Sequence, residues 1–245
     1  KVVPALKTSN ESSSGILGAY VKDIEPCLKE WDVAFDATSL YPSIIMALNM
    51  SPETLMEDCE LFPSTSESIL NLVERKIDLA HLKKSKNSIA ANGQQFTTAT
   101  KGWFPIIVEH FFDQRQISKK SMLKLEADHS KDLEILKQIS SLNIKQMAFK
   151  ILLNSLYGAM GNEHFTYFDT RIAEGITMTG QLIIRNAEVG VNKFLCDLLK
   201  VQEDYCYYCD TDSMHISLNN LVKKYYSNKT PREISHILST ICKDV

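Results

Sequence analysis

Along this chain the apolar positions switch between a period of two and a period near 3.6. Trp31, Val33 and Phe35 alternate with Asp32, Ala34 and Asp36, which predicts a half-buried strand ending on an aspartate. Thr38 to Met46 follows as a helix, with Ser39 as its cap and Pro42 in its first turn. Upstream, Lys7 to Gly15 reads as a polar loop and Ile16 to Val21 as a short strand, in which Gly18 and Ala19 let another backbone approach closely. Ile69 to Leu82 has helical spacing, and Lys83 to Thr100 is a polar run. After Trp103-Phe104-Pro105, helical patterns from about Ile107 to Leu125 and from about Leu133 to Tyr157 flank a turn marked by His129, Ser130 and Asp132. They predict an antiparallel αα-hairpin. Gly158 fits a helix C-cap better than the first glycine of an RNA-clamping loop. A third long helix is expected over Thr170 to Leu199 and another from Pro231. Between them Tyr205–Tyr208 and Met214–Ile216 flank Asp210-Thr211-Asp212-Ser213, a β-hairpin with two carboxylates at its bend.

Composition changes this picture in three ways. With 245 residues, 44% hydrophobic and 23% charged, the chain can bury a core as one large domain or two smaller ones. No apolar run reaches the length of a bilayer span, and no targeting signal opens the sequence. A start at Lys1 and an end at Lys-Asp-Val suggest a slice of a longer protein. Six cysteines without a secretory leader point to reduced thiols. The net charge of −3 is unevenly spread, since Lys101 to Lys150 holds nine basic residues against six acidic ones and the rest of the chain is acidic.

The candidate chemistry sits where these patterns meet. Two carboxylates at one bend repel each other unless a cation compensates them, and a hard divalent ion such as Mg2+ is the natural one. A strand ending at Asp36 leads into a helix N-terminus, whose amides favour a phosphate. Arg115 and Lys119 share one face of the first hairpin helix, and Lys150, Asn154 and Tyr157 share one face of the second. Cations on such faces can grip a triphosphate. Cys206 and Cys209 have the spacing of a redox or zinc pair, but their odd separation along a strand puts the thiols on opposite faces, and no second ligand pair completes a zinc site.

Three blocks carry a family resemblance. Asp36-Ala-Thr-Ser-Leu-Tyr-Pro-Ser-Ile-Ile45 resembles the DxxSLYPSII motif of family B DNA polymerases, Lys150 to Gly158 resembles KxxxNSxYG, and Tyr208 to Ser213 resembles YGDTDS. Their order and spacing match that family, nearest its tailed-phage branch, over most of Lys1 to Leu218. One departure is Cys209, which stands where the family usually has glycine or another small residue. The resemblance implies an α+β fold, an antiparallel palm sheet with packed helices over residues 1–106 and 158–245, carrying an αα-hairpin fingers insertion over 107–157. Exonuclease and thumb domains are expected to be absent from this chain.

The same resemblance implies template-directed DNA synthesis in phage replication. Two Mg2+ ions, with Mn2+ as a substitute, would be held by Asp36, Asp212 and the Ala37 carbonyl, with Asp210 in a lesser part. Arg115, Lys119 and Lys150 would bind the incoming dNTP, Lys150 also protonating the departing pyrophosphate. Ser39, Leu40, Tyr41, Asn154 and Tyr157 would line the nucleotide pocket, with Tyr41 beneath the sugar. Gly18, Ala19, Gly158 and Thr211 would approach primer–template DNA. A sliding clamp would be engaged through regions outside this chain, no membrane is involved, and the setting would be the host cytoplasm. A metal-dependent nuclease and a non-catalytic DNA-binding remnant are the competing readings, separated by whether a primer is extended, cleaved or left unchanged.

Overall fold

The computed structural model describes residues 16–23, 28–127 and 132–242. The loop expected over Lys7–Gly15, and His129 and Ser130 of the expected turn, lie outside them. The chain divides into two compact units, one of Lys1–Gly18 and Thr38–Leu182, the other of Ala19–Ala37 and Ile183–Val245. Among the described residues no helix is long and apolar enough to cross a membrane.

The first unit begins with α1 (Leu40–Ala47), whose Leu40, Pro42, Ile44 and Ile45 are buried. Ser39 occupies the N-cap position in the left-handed region, at φ 54°, and makes no side-chain cap, contrary to the sequence expectation. The first turn is closed instead by the Ser43 amide donating to the Ser39 carbonyl at 2.9 Å. Helix α2 (Ser66–Val73) is shorter than the helical spacing to Leu82 suggests. Arg75 turns left-handed at φ 57°, and the amides of Arg75 and Lys76 fold back onto the Leu72 and Asn71 carbonyls, ending the helix.

The middle of the polar run after Lys83, from Ala90 to Gln94 and at Phe96, is buried, while its two ends are exposed. Strands β2 (Ser88–Ile89) and β3 (Gln95–Phe96) pair antiparallel. Gly93 turns between them at φ 86°, where any side chain would run into the Glu60 carbonyl. Among the buried polar side chains, Asn92 donates to the Arg171 carbonyl at 2.8 Å and Gln94 Nε2 to the Met56 carbonyl at 2.7 Å, while Gln94 Oε1 has no partner among the described residues. Ile69, Ala91 and Met178 form an apolar cluster beside this hairpin.

Helix α3 (Trp103–Ala127) starts a turn earlier than its apolar pattern. Its N-terminus is held from outside the helix, by the Glu53 carboxylate accepting from the Trp103 amide at 2.6 Å and the Asn49 side chain accepting from the Gly102 amide at 2.8 Å. Helix α4 (Leu133–Met160) is capped by Asp132, whose carboxylate accepts from the Glu134 amide at 2.9 Å. The two pack as the expected antiparallel hairpin, with Phe111 and Phe149 rings 5.9 Å apart. Apart from Ser118 and Gln146, its buried residues lie in the first turns of α3 and the last turns of α4, so the rest of the hairpin is mostly exposed. Gly158 lies inside α4, and the cap is Gly161. Helix α5 (Thr170–Leu199) matches its sequence pattern and gives its first part to this unit and its remainder to the other.

The second unit is built on an antiparallel sheet of β1 (Asp32–Asp36), β4 (Cys206–Asp210) and β5 (Ser213–Ser217), in the order β1-β5-β4. Burial along β1 alternates as the sequence predicts, with Asp32, Ala34 and Asp36 exposed. The expected strand over Ile16–Val21 does not form; the chain makes a single bridge, Val21 with Asp210. Helix α6 (Asn219–Tyr225), unannounced by the sequence, and α7 (Pro231–Ile241) complete the unit. Thr230 and Glu233 form a capping box at the start of α7, with Pro231 at its first position.

Strand β4 breaks its own alternation. Register passes from Cys206 opposite Ile216 to Tyr208 opposite His215, leaving Tyr207 as a bulge. The extra residue returns Cys209 to the face of Cys206, and both thiols are fully buried with their sulfurs 3.4 Å apart. The expectation of opposite faces therefore fails, because period-two counting does not survive a bulge. The hydrogen bond with Cys209 and burial both push the Cys206 thiol far above its usual range.

Candidate functional site

In the second unit the acidic residues are fixed by backbone. Asp36, the last residue of β1, pairs with Ser213 of β5. One step further the Ala37 amide donates to the Asp212 carbonyl at 2.8 Å. The turn is tight: Thr211 is left-handed at φ 56°, and the Asp212 amide donates to the Asp210 carbonyl at 2.6 Å. The Thr211 hydroxyl bonds to the Asp210 carboxylate at 3.0 Å. Asp36 and Asp212 are thus neighbours at one end of an antiparallel ladder, and Asp210 precedes them on the outer strand.

A strap from Tyr20 to Lys22 covers the free edge of β4. The Thr211 amide donates to the Tyr20 carbonyl, and the Lys22 amide to the Cys209 carbonyl, each at 2.9 Å. Below it the Lys22 ammonium reaches the Glu188 and Asp204 carboxylates and the Cys206 carbonyl, each at 2.5 Å. Burial opposes the charge, but the hydrogen bonds to Asp204 and Glu188 outweigh it and hold the ammonium above its ordinary range. Tyr20 lies beneath the Arg185 guanidinium, 4.0 Å from its ring, and its phenol is pushed up to about 12 by burial and by Glu188. Nothing in the local pattern around Lys22 announces this role, because its acidic partners lie 166 and 182 residues away.

In the first unit the cations lie on the hairpin. Arg115 of α3 donates from Nη1 to the Ser39 hydroxyl at 3.0 Å, so the residue expected to cap α1 serves an arginine instead. The Arg115 Nε is buried without a partner among the described residues. Lys119, Lys150 and Asn154 are exposed, and among the described residues neither lysine is ion-paired with a carboxylate. Tyr157 is half-buried, and burial raises its phenol above the usual value. Its ring meets that of Tyr41, the centroids 4.4 Å apart and the planes tilted by 35°. Leu40 is buried beside Tyr41 in the first turn of α1.

The small residues are less constrained than expected. A Cβ added at Gly18 or Gly158 would meet no atom within 4 Å, so the close approach predicted for Gly18 is not made among the described residues. Gly18 accepts instead, its carbonyl taking a bond from Gln181 Nε2 at 2.7 Å. A glycine that the motif reading passed over, Gly180 of α5, lies directly against the Tyr41 ring. Its signal in the sequence is a glycine inside a strong helical pattern. A separate groove of about 570 Å³ in the second unit is lined by Asn192, Cys196 and Asp204 among others and contains none of the expected site residues.

As donors, Asp36, Asp212, Asp210 and the Ala37 carbonyl offer only hard oxygen. Among the described residues no group of three or more His, Cys, Asp or Glu is gathered as a self-sufficient metal cage. Oxygen donors of this kind fit a hard cation, and any such ion would need further ligands from substrate or water.

Comparison with known proteins shows what the chain is similar to. A sequence model described as DNA polymerase family B matches residues 2–243. The chain is 30% identical to the DNA-directed DNA polymerase of Escherichia phage RB69 over 89% of its own length and 28% of that protein's. It is 28% identical to the enzyme of Enterobacteria phage T4 over 91% of its own length and 29% of that protein's, and so spans less than a third of either relative. The family B DNA polymerase of Pyrobaculum calidifontis has a similar fold, with a TM-score of 0.56 at 22% identity over 90% of this chain and 24% of that one.

Proposed function

The chain belongs to DNA polymerase family B, and we propose on that footing that it performs template-directed DNA synthesis in phage replication inside a host cell. It adds a deoxynucleotide from a dNTP to a primer 3′-hydroxyl and releases pyrophosphate. In this reading residues 107–157 are the fingers and the flanking segments the palm. The observation that carries it is the lacing of β1 to the β4–β5 turn, which presents Asp36 and Asp212 from a rigid ladder.

Asp36, Asp212 and the Ala37 carbonyl would hold Mg2+ or Mn2+, with Asp210 contributing less. Two such ions, when bound, supply activation of the 3′-hydroxyl and charge neutralisation at the leaving pyrophosphate. The new bond joins the primer 3′-oxygen to the α-phosphorus, and the bond from that phosphorus to the bridging oxygen breaks. Arg115, Lys119 and Lys150 bind the triphosphate, where fixed cations stabilise charge that grows in the transition state. Lys150 gives its proton to the departing pyrophosphate. Asn154 and Tyr157 line the pocket for the new base pair with Ser39 and Leu40, and Tyr41 forms the floor under the sugar. Gly18, Ala19, Gly158 and Thr211 lie along the DNA backbone.

The test uses the full-length natural protein with a labelled primer–template, dNTPs and Mg2+. Template-matched lengthening of the primer supports this reading. Metal-dependent shortening would replace it with a nuclease, and binding without either reaction would leave a DNA-binding remnant.

A further inference from the structure

Gly180 stands in the interior of α5, where glycine is less stable than alanine because ordering it costs more backbone entropy. Its cause lies across the helix surface. A Cβ built on Gly180 falls 2.9 Å from Tyr41 Cε1, 3.6 Å from Tyr41 Cδ1 and 3.5 Å from Leu40 Cδ2. The first of these is closer than side-chain carbons pack, and the atom it meets belongs to a rigid ring rather than to a flexible chain end. The ring has little freedom to yield, since staggered wells restrict its χ1 and Tyr157 lies 4.4 Å away, centroid to centroid. Among the glycines of α5, Gly190 has no atom within 4 Å of an added Cβ and Gly175 comes no closer than 3.2 Å, to Ala90 and Asn92, so an approach under 3.0 Å occurs at Gly180 alone.

We propose that Gly180 is a positioning residue for nucleotide selection: the absence of its side chain sets where the Tyr41 ring stands, and so the depth of the pocket floor under the incoming sugar. The proposal rests on the reading of Tyr41 as that floor. It assigns to α5 a part in selection that Gly180 exerts only through Tyr41.

Four variants of the full-length protein test it: Gly180→Ala, Tyr41→Ala, the double variant, and Gly190→Ala as the control. Gly180→Ala should raise the KM for a matched dNTP about tenfold and shift the ribonucleotide-to-deoxynucleotide incorporation ratio, with primer affinity unchanged. In the Tyr41→Ala background the same substitution should change KM by less than about twofold, because the ring it would displace is gone. Gly190→Ala should leave both readings as they are. An equal KM rise in both backgrounds, or none in a folded Gly180→Ala protein, overturns the proposal. If Gly180→Ala alone fails to fold, the double variant should recover the fold, and failure to recover it counts equally against the proposal. An unchanged sugar ratio in Tyr41→Ala would instead remove the floor reading itself, whatever Gly180 does.

Discussion

The Ala37 amide donates to the Asp212 carbonyl at 2.8 Å, one step beyond the last β1–β5 pair, Asp36 with Ser213. Two acidic residues far apart in sequence are thereby held by main chain rather than by mobile side chains. The strap over β4 and the Lys22 cluster reinforce the turn from the outside.

Lys22 is therefore expected to matter for stability. Its side chain and that of Glu188 are only 16% and 15% exposed. Lys22→Met would leave the Glu188 carboxylate with only the Tyr20 hydroxyl, at 3.3 Å, among the described residues and take the ammonium from the Cys206 carbonyl, at a cost of about 2–3 kcal/mol, below the full range for a buried pair because Glu188 keeps that donor and Asp204 is half-exposed. Urea unfolding of both proteins at pH 8 measures the difference. The Lys22 ammonium is held above its ordinary 10.5 in the folded state, so its contribution is complete below that pH and is lost as pH rises through the folded value. Tyr20, raised from 10.0 to about 12, adds a loss of the same sign above pH 10. The gap between the two proteins should narrow above about pH 11.

Lys150→Ala should slow incorporation by about 10²- to 10³-fold, the range for removing one preorganised donor from a developing charge. It should weaken nucleotide binding and barely change primer affinity. Single-turnover incorporation over a range of dNTP concentrations separates these effects. Lost DNA affinity with an unchanged maximal rate would make the hairpin a duplex clamp.

Most elements of the fold were legible because they are long and strongly periodic: β1, the β4–β5 hairpin, the αα-hairpin and α5 all stand where their patterns put them. What escaped the sequence is non-local or aperiodic. The Tyr207 bulge reverses the facing of Cys209, and one extra residue in a strand leaves no mark on composition. Ser39 looks like a cap but serves Arg115, 76 positions away. The polar run after Lys83 gives no local sign that Asn92 and Gln94 are buried and bonded to the Arg171 and Met56 carbonyls. For the candidate site, the acidic and basic residues were proposed from short motifs, which are local in sequence. The contact of Gly180 with Tyr41 links residues 139 positions apart, and no local motif reports it.

Tyr41→Ala should raise ribonucleotide incorporation relative to deoxynucleotide incorporation by orders of magnitude. A 2′-hydroxyl over an aromatic floor suffers both overlap and loss of hydration, and each roughly 1.4 kcal/mol removed shifts the ratio tenfold. Competition between matched ribo- and deoxynucleotides reads the ratio directly. If it stays constant in an active variant, Tyr41 is packing against Tyr157 and sugar choice lies elsewhere.

The acidic pair is tested most directly by Mg2+-dependent single-nucleotide incorporation in full-length Asp36→Asn and Asp212→Asn proteins, with circular dichroism and thermal unfolding confirming their fold. Each change keeps the shape of the side chain and removes one charged metal ligand, so both variants should fold normally and lose at least about 10³-fold in rate. Near-normal incorporation by either folded variant would contradict the assignment of these aspartates as the metal-holding pair.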